Sequence, residues 1–359
     1  MEEKHFQNTS IKVFKDIVFD KIGKKDLDVY MPPESMDMPS NGFPIVYFIH
    51  GGAWHIGGKE NSRDACQSMA KNGYVCVATT YSLSTLSNEH LDVILGSIVL
   101  IMLVFALTAK TSKNMLLILM IMAFLVMFFM ILWTFLPREE VQHPTHILDV
   151  AEGVKWTIDN AKTYGGNAKE IYVMGHSAGG HLAALLCTNL IYLEKFNVPV
   201  ENIKGCISIS GVYSDRRMMQ SKIGENLLTN AFGKSDNYID AFPIYNVTPY
   251  TCPFLLLNAG TDITLKRHTL DFHFILRQNG VFVETAYFSD RSHWNITREW
   301  GTGKRNEQVM KKISAFITER QEMLLLDPRI QSDKSSDVLF DVASDVLDVE
   351  SDVNESSSV

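Results

Sequence analysis

No CxxC pair and no cysteine–histidine spacing of the zinc-binding kind occurs anywhere in the 359 residues. The five cysteines (Cys66, Cys76, Cys187, Cys206, Cys252) are scattered and odd in number, which argues against a disulfide framework. Four of them stand in apolar surroundings and read as small buried hydrophobes. Basic runs interleaved with aromatics are also missing, so nucleic acid is not an expected partner. The N-terminus, MEEKHFQNTS, lacks a charged-then-apolar leader, and no export signal is expected in the first 90 residues. No metal-ligand or cofactor motif is found, and the chemistry inferred below needs none.

Charge and hydropathy are both unevenly spread. The net charge is −8, but Leu326–Val359 alone holds nine acidic and two basic residues, so the acidity belongs to a tail and says little about a substrate. That tail repeats Ser-Asp-Val three times and has too little apolar surface to fold alone, so residues 326–359 are expected to be disordered. Its serine-rich acidic texture suits phosphorylation, and its Ser-Ser-Val end suits a peptide-binding groove; a merely solvated tail is the plainer alternative. Mean hydropathy is +0.01, and much of the apolar content is packed between Leu91 and Leu136. The length suits one large α/β domain with extras, or two modest domains.

Outside that stretch the pattern alternates strands and helices. IKVFKDIVFD and LDVYMP read as paired strands. PIVYFIH and YVCVATTYSL are continuous apolar runs of strand length, as expected in a sheet covered on both faces. Ile147, Val150, Ala151, Val154 and Ile158 fall on one helical face. KEIYVMGHSAGGHLAALLCTNL predicts a strand, a sharp turn and a helix. GCISISG, FLLLNAG and VFVETAYF are further strands, LDFHFILRQNG is a helix stopped by Gly280, and KKISAFITERQ is a last helix. This order predicts a doubly wound, mostly parallel sheet.

Three motifs carry chemistry. In Gly175-His176-Ser177-Ala178-Gly179, a serine follows a strand and opens a helix, the setting in which small neighbours allow a strained turn to present a nucleophilic hydroxyl. A structural glycine turn is the alternative. His50-Gly51-Gly52-Ala53-Trp54 follows the strand PIVYFI. Glycines let backbone amides approach a tetrahedral oxyanion, so the N–H groups of Gly52 and Ala53, with Ala178 behind the serine and Gly51 in the same loop, are the expected oxyanion hole. Serine needs a base held by a carboxylate. Asp262 follows one late strand and His293 the next; with one helix between those strands, both loops should leave the same sheet edge as Ser177. His268 and His273, on or near the helix, and Asp290, in the loop, are the rival candidates.

HGGAW, GHSAGGH and the late Asp and His resemble the alpha/beta hydrolase fold-3 group, which includes hormone-sensitive-lipase-like esterases, kynurenine formamidase and isoprenylcysteine methylesterase. GGAW followed by Gly57-Gly58-Lys59, and YGGNAKEIYVMGHSAGGHLAA, resemble the isoprenylcysteine methylesterase and feruloyl-esterase-like branch more than the HGGG lipases. The resemblance covers about 45–85 and 143–318. It implies an α/β-hydrolase fold and a cofactor-free serine hydrolase using Ser177, Asp262 and His293. Two positions depart from the group. Ala53 replaces a third glycine but keeps its N–H, and Thr80-Tyr81-Ser82-Leu83 stands where Asp-Tyr-Arg-Leu is frequent, so Tyr81 is expected to be structural.

In the resembling enzymes a few residues join the Tyr-x-Leu strand end to the loop that here is His143-Pro144; this chain has about 55. Val93–Thr108 and Met115–Leu136 are uncharged, the second being 22 residues long, enough to cross a hydrocarbon core of ~30 Å. Lys110-Thr111-Ser112-Lys113-Asn114 joins them. The expectation is a membrane-embedded helical hairpin over 91–137, contacting lipid through 91–136 and interrupting a hydrolase domain formed by 1–90 and 138–325; a buried helix pair is the alternative. Two lysines in the hairpin turn would put the catalytic part in the lumen, whereas the missing leader favours the cytosolic face of the endoplasmic reticulum; sequons at Asn246 and Asn295 do not decide. The expected activity is hydrolysis of a small-molecule or lipidic carboxylic ester. The same machinery serves formamide or amide hydrolysis, and a non-catalytic hydrolase-fold binding protein is the reading from another class.

Overall fold

The structure, a computed structural model, describes residues 10–85 except 21, 23 and 24, residues 141–326 except 236, 237, 299 and 301–303, and the single positions 96, 121, 124, 125 and 128. Eight strands form one sheet: β1 (Lys12–Val18), β2 (Asp26–Met31), β3 (Phe43–Ile49), β4 (Val75–Thr79), β5 (Gly166–His176), β6 (Ile203–Ile209), β7 (Phe254–Ala259) and β8 (Val283–Phe288). Their spatial order is β1-β2-β4-β3-β5-β6-β7-β8. β2 pairs antiparallel with β1 and β4, and every later pairing is parallel. This is the mostly parallel sheet that the sequence pattern predicts.

Burial follows the apolar runs. Every residue of β3, β4 and β7 is buried, as a strand covered on both faces requires, while β1 at the edge is half exposed. The helices are α1 (Arg63–Lys71), α2 (Thr145–Asn160), α3 (Ala178–Thr188), α4 (Lys222–Phe232), α5 (Ile263–Gln278) and α6 (Lys304–Leu326). All eleven residues of α3 are buried, so it is a core helix without a polar face. The connections β3–α1–β4, β5–α3–β6 and β7–α5–β8 each return the chain to run parallel to an earlier strand. The C-terminal ends of β3 to β8 therefore share one edge, and the loops that follow them gather there.

Several sequence expectations change. The run expected as one strand over 74–83 stops at Thr79. The Thr80 N–H still bonds the Asp26 carbonyl of β2, but the Ser84 N–H bonds the Trp54 carbonyl, so by Ser84 the backbone has left the sheet ladder. Helices α1 and α4 were not anticipated, although Ala65, Cys66, Met69 and Ala70 of α1 form a buried face at helical spacing. The hairpin expected over 91–137 lies outside the described residues, apart from Gly96, Ile121, Phe124, Leu125 and Phe128, which are helical and exposed. Among the described residues no helix is long and apolar enough to cross a membrane. The tail beyond Leu326 also lies outside the described residues. The chain divides into Met1–Ile313 and a second unit, Ser314–Val359. The described part of the second unit is helical to Leu326, with the Arg320 guanidinium 5.7 Å from the centre of the Phe316 ring.

Candidate active site

Ser177 sits between β5 and α3 with φ +54° and ψ −118°, a backbone conformation that L-residues rarely adopt and that marks stored strain at functional sites. The turn tolerates no side chain at its glycines. A Cβ on Gly175 would lie 2.1 Å from the Gly179 carbonyl oxygen, and one on Gly179 would lie 2.1 Å from that of Ile49. The spacing Gly-x-Ser-x-Gly is thus a packing requirement between β5, β3 and α3. The Ser177 N–H is tied to the Ile209 carbonyl at 2.8 Å, which fixes the strained residue against the end of β6.

A continuous chain of hydrogen bonds starts at its hydroxyl. Ser177 Oγ lies 3.1 Å from His293 Nε2, and His293 Nδ1 lies 2.8 Å from Asp262 Oδ1. The carboxylate is an acceptor, so Nδ1 carries the proton and Nε2 is left to accept from Ser177. Asp262 Oδ2 accepts from the Ala259 N–H at 3.0 Å and from the hydroxyl of Ser210, a residue at the end of β6 with φ +51°. Burial pushes the Asp262 carboxyl upward, but the bonds from His293, Ser210 and the Ala259 N–H outweigh it and hold the group below the ordinary carboxylate range. The His293 N–H donates to Thr261 Oγ1 at 3.2 Å, so the two late loops brace each other.

The loop after β3 faces this group. A Cβ on Gly51 would stand 3.1 Å from Ser177 Cβ. Gly52 has φ +127°, and a Cβ there would fall 1.8 Å from the Ile56 carbonyl oxygen. Ala53 and Trp54 also have positive φ, so three successive residues of the loop leave the ordinary backbone regions. Gly51, Gly52, Ala53 and Ser177 line one cleft, and Ala53, Ala178 and Ser177 line another. All seven residues expected in the site are brought to one place.

Two arrangements hold that loop. The Trp54 indole N–H donates to His181 Nδ1 at 3.3 Å, and His181 Nε2 donates to the Ala241 carbonyl at 2.8 Å. The ring must be neutral to do both. Burial accordingly pushes it down to about 3. Lys59, almost fully buried, reaches Asp16 at 2.6 Å, Asp28 at 3.0 Å and Asp26. Burial alone would lower its pKa; the three carboxylates outweigh that and raise it. Tyr81 stacks on His50 with centroids 4.4 Å apart and donates to its carbonyl at 3.2 Å, the structural role expected of it. Thr80, in place of a charged residue, bonds the Asp26 carbonyl at 2.8 Å.

The rival candidates lie elsewhere in the bonding network. His268 Nδ1 accepts the N–H groups of Tyr213 and Ser214 at 3.2 and 3.3 Å, His273 pairs with Thr285, and Asp290 stands 3.7 Å from Arg291. All five cysteines are free, four of them buried and Cys252 half-buried. Sequence reasoning missed Ser210, Lys59 and the Trp54–His181 bond. A signal existed only for Lys59 itself and for Trp54 and His181, since these three fall in motifs that the chain shares with the resembling group.

Two clefts meet at Ser177 and Ala53. One, about 420 Å³, is mostly apolar, with Trp54, Val212, Met218, Leu227 and Leu265 in its walls. The other, about 580 Å³, is lined by His50, Glu60, Arg63, Asp64, Trp294 and Arg298 as well as His176 and His293. A third depression of about 600 Å³, beside the Arg217–Asp271 ion pair, contains none of the Ser177 group. Among the described residues no cluster of His, Cys, Asp and Glu is arranged to hold a metal ion. A bonded serine, imidazole and carboxylate beside turned backbone amides can carry out acyl transfer.

A family profile described as BD-FAE matches residues 27–91 and 109–269, a span that includes the HGGAW loop, Ser177 and Asp262 and ends before His293. The chain is 23% identical over 260 residues to a probable carboxylic ester hydrolase, LipM, of Mycobacterium tuberculosis, covering 69% of this chain and 47% of LipM. It is 21% identical over 343 residues to a probable isoprenylcysteine alpha-carbonyl methylesterase, ICME, of Oryza sativa, covering 89% and 68%. In structure it is similar to esterase B from Lactobacillus rhamnosis, with a TM-score of 0.61, 15% identity and 89% of each chain covered. The chain thus spans about half the length of LipM.

Proposed function

We propose, from the premise that the chain belongs to the BD-FAE family of the α/β-hydrolase fold, that it is a membrane-anchored carboxylic-ester hydrolase. The observation that carries this reading is the unbroken series Ser177–His293–Asp262, with bonds of 3.1 and 2.8 Å, at the point where the two clefts meet. The two relatives described above bear ester-hydrolase names, which supports the reaction class.

Ser177 Oγ attacks the ester carbonyl as His293 Nε2 takes its proton. The resulting oxyanion lies against the N–H groups of Gly52, Ala53 and Ala178, with Gly51 permitting the close approach. Collapse of the tetrahedral intermediate breaks the carbon–oxygen bond to the alcohol, which leaves with the proton from His293. Water, deprotonated by the same imidazole, then attacks the acyl-enzyme and releases the acid and free Ser177. Segment 91–137 is the anchor, its second run long enough to span the hydrocarbon core.

A fluorophosphonate probe applied to detergent-solubilised protein tests the nucleophile. Wild type is expected to label and Ser177→Ala is not. A panel of esters and formamides then reads the leaving group; preference for the formamide would replace the esterase reading with an amidase one. Unlabelled, folded wild type would favour a non-catalytic binding scaffold.

The acyl chain is assigned to the apolar cleft, a space of about 420 Å³ lined by Leu227 of α4 together with Trp54 and Met218. Leu227→Trp fills that space, so kcat/KM for long-chain esters is expected to fall about tenfold or more relative to acetate esters. Equal loss for all chain lengths would place the acyl group in the other cleft.

A further inference from the structure

The mouth of the Ser177 clefts carries apolar side chains that the chemistry does not use. Ile56 and Trp294, 63% and 66% exposed, stand in the wall of one cleft, and Ile223, 76% exposed, stands in the wall of the other. A large aliphatic or aromatic group left this open is ordinary singly; three ringed around one reactive serine form an exposed apolar rim. Arg63, Arg267 and Arg298 are exposed in the same walls and outnumber Glu60 and Asp64. Apolar side chains beside arginines are the composition of a surface that enters a bilayer interface while its guanidinium groups meet phosphates.

What covers this rim follows from where the chain leaves the described structure. Residues 86–140 depart after Thr85 and return at Val141, and they contain the two uncharged apolar runs. Both stubs are stitched to the cleft walls. The Ser84 N–H donates to the Trp54 carbonyl at 2.8 Å, and the His143 N–H donates to the Ala231 carbonyl of α4, also at 2.8 Å. Ser84 Oγ and His146 Nε2, 2.8 Å apart, tie one stub to the other. Trp54 lines the apolar cleft, and α4 supplies Ile223 and Leu227 to it. An anchor that enters the membrane from these two points brings the same edge of the sheet to the lipid.

We infer that the rim formed by Ile56, Ile223 and Trp294 docks on the bilayer, so that Ser177 receives esters laterally from the lipid phase. This rests on the proposed anchor at 91–137 and on the proposed esterase reaction, and it goes beyond both by fixing which face of the catalytic domain meets the membrane. The substrate class it names is a bilayer-resident ester with its acyl chain entering the apolar cleft.

The test uses full-length protein in phosphatidylcholine vesicles containing phosphatidylserine. Ile56→Cys, Ile223→Cys and, as a distant control, Asp159→Cys are labelled with an environment-sensitive fluorophore in a Cys252→Ser background. Quenching of the first two by doxyl-labelled lipid, with Asp159→Cys quenched only by aqueous iodide, is the expected result. Iodide quenching at all three positions would overturn the docking, and so would a shielded probe untouched by doxyl lipid, which would mean that protein covers the rim. Ile56→Asp with Ile223→Asp is expected to lower hydrolysis of a vesicle-borne ester on the order of tenfold or more relative to a water-soluble one; an unchanged ratio would count against docking. Carbonate extraction and fluorophosphonate labelling on the same samples separate failure of the anchor or of the reaction from failure of the docking.

Discussion

Asp262→Asn is expected to lower kcat by about four orders of magnitude while leaving KM within a few-fold, because it reverses the imidazole tautomer without moving the ring. The argument lies in the two carboxylate oxygens. Oδ2 accepts from the Ala259 N–H and the Ser210 hydroxyl. In the asparagine variant the amide oxygen has to take that place, since an NH₂ group there would oppose a backbone donor. The NH₂ then points at His293 Nδ1, 2.8 Å away in the native protein, and requires that nitrogen to accept. Nε2 acquires the proton and presents an N–H to Ser177 Oγ, which it can no longer deprotonate. The checks are steady-state kinetics on a soluble ester and the rate of fluorophosphonate labelling, which should fall together. Because the native carboxyl titrates below the ordinary range, lowering the pH will not make wild type mimic the variant through this group. Activity within tenfold of wild type would mean that another carboxylate orients His293, Asp290 being the nearest in sequence.

The parts of this site that were legible in the sequence are those in which backbone geometry restricts residue type. Gly175 and Gly179 are forced by contacts of 2.1 Å, so the nucleophile turn has a signature, and the strand pattern then locates Asp262 and His293. Ser210 has no such signature. It serves the site through a hydroxyl brought 52 positions along the chain to Asp262 by the pairing of β6 with β7, and a serine at a strand end is otherwise unremarked. The partners of Lys59 are hidden in a similar way. Asp26 and Asp28 alternate along β2, and Asp16 joins them only because β1 is irregular between Phe14 and Ile17. Helix α4, a wall of the apolar cleft, went unrecognised because only Leu228, Ala231 and Phe232 of its eleven residues are buried, too short an apolar stripe to stand out beside the strands.

The same packing that fixes the site is expected to make the folded domain acid-labile well above the carboxylate range. His50, His146, His181 and His268 are each at most 4% exposed. Burial, the largest cause in every case, pushes them down from 6.5 to about 4, 3, 3 and 4. Their neutral forms are built into the structure: His181 links Trp54 to Ala241, and His268 accepts two backbone N–H groups. The folded pKa lies below the unfolded one, so the stabilisation is complete above about pH 6.5. It is lost as the pH falls towards 4, because the unfolded chain takes up protons that the native one refuses. Each histidine then costs about 1.4 kcal/mol per pH unit, and the four together about 5.5 kcal/mol per pH unit at the limit, against a total stability of roughly 5–15 kcal/mol. Unfolding within about two pH units below 6.5 is the expected outcome. It is measured as the urea midpoint against pH, with the slope giving the number of protons taken up. His268→Asn should reduce that slope by about one proton even if it lowers stability at neutral pH, which separates the titration from simple loss of packing. A urea midpoint that stays level from about pH 7 to about pH 5 would show that these rings are protonated in the folded state, and the Trp54–His181–Ala241 link would then have to be formed by a different set of donors.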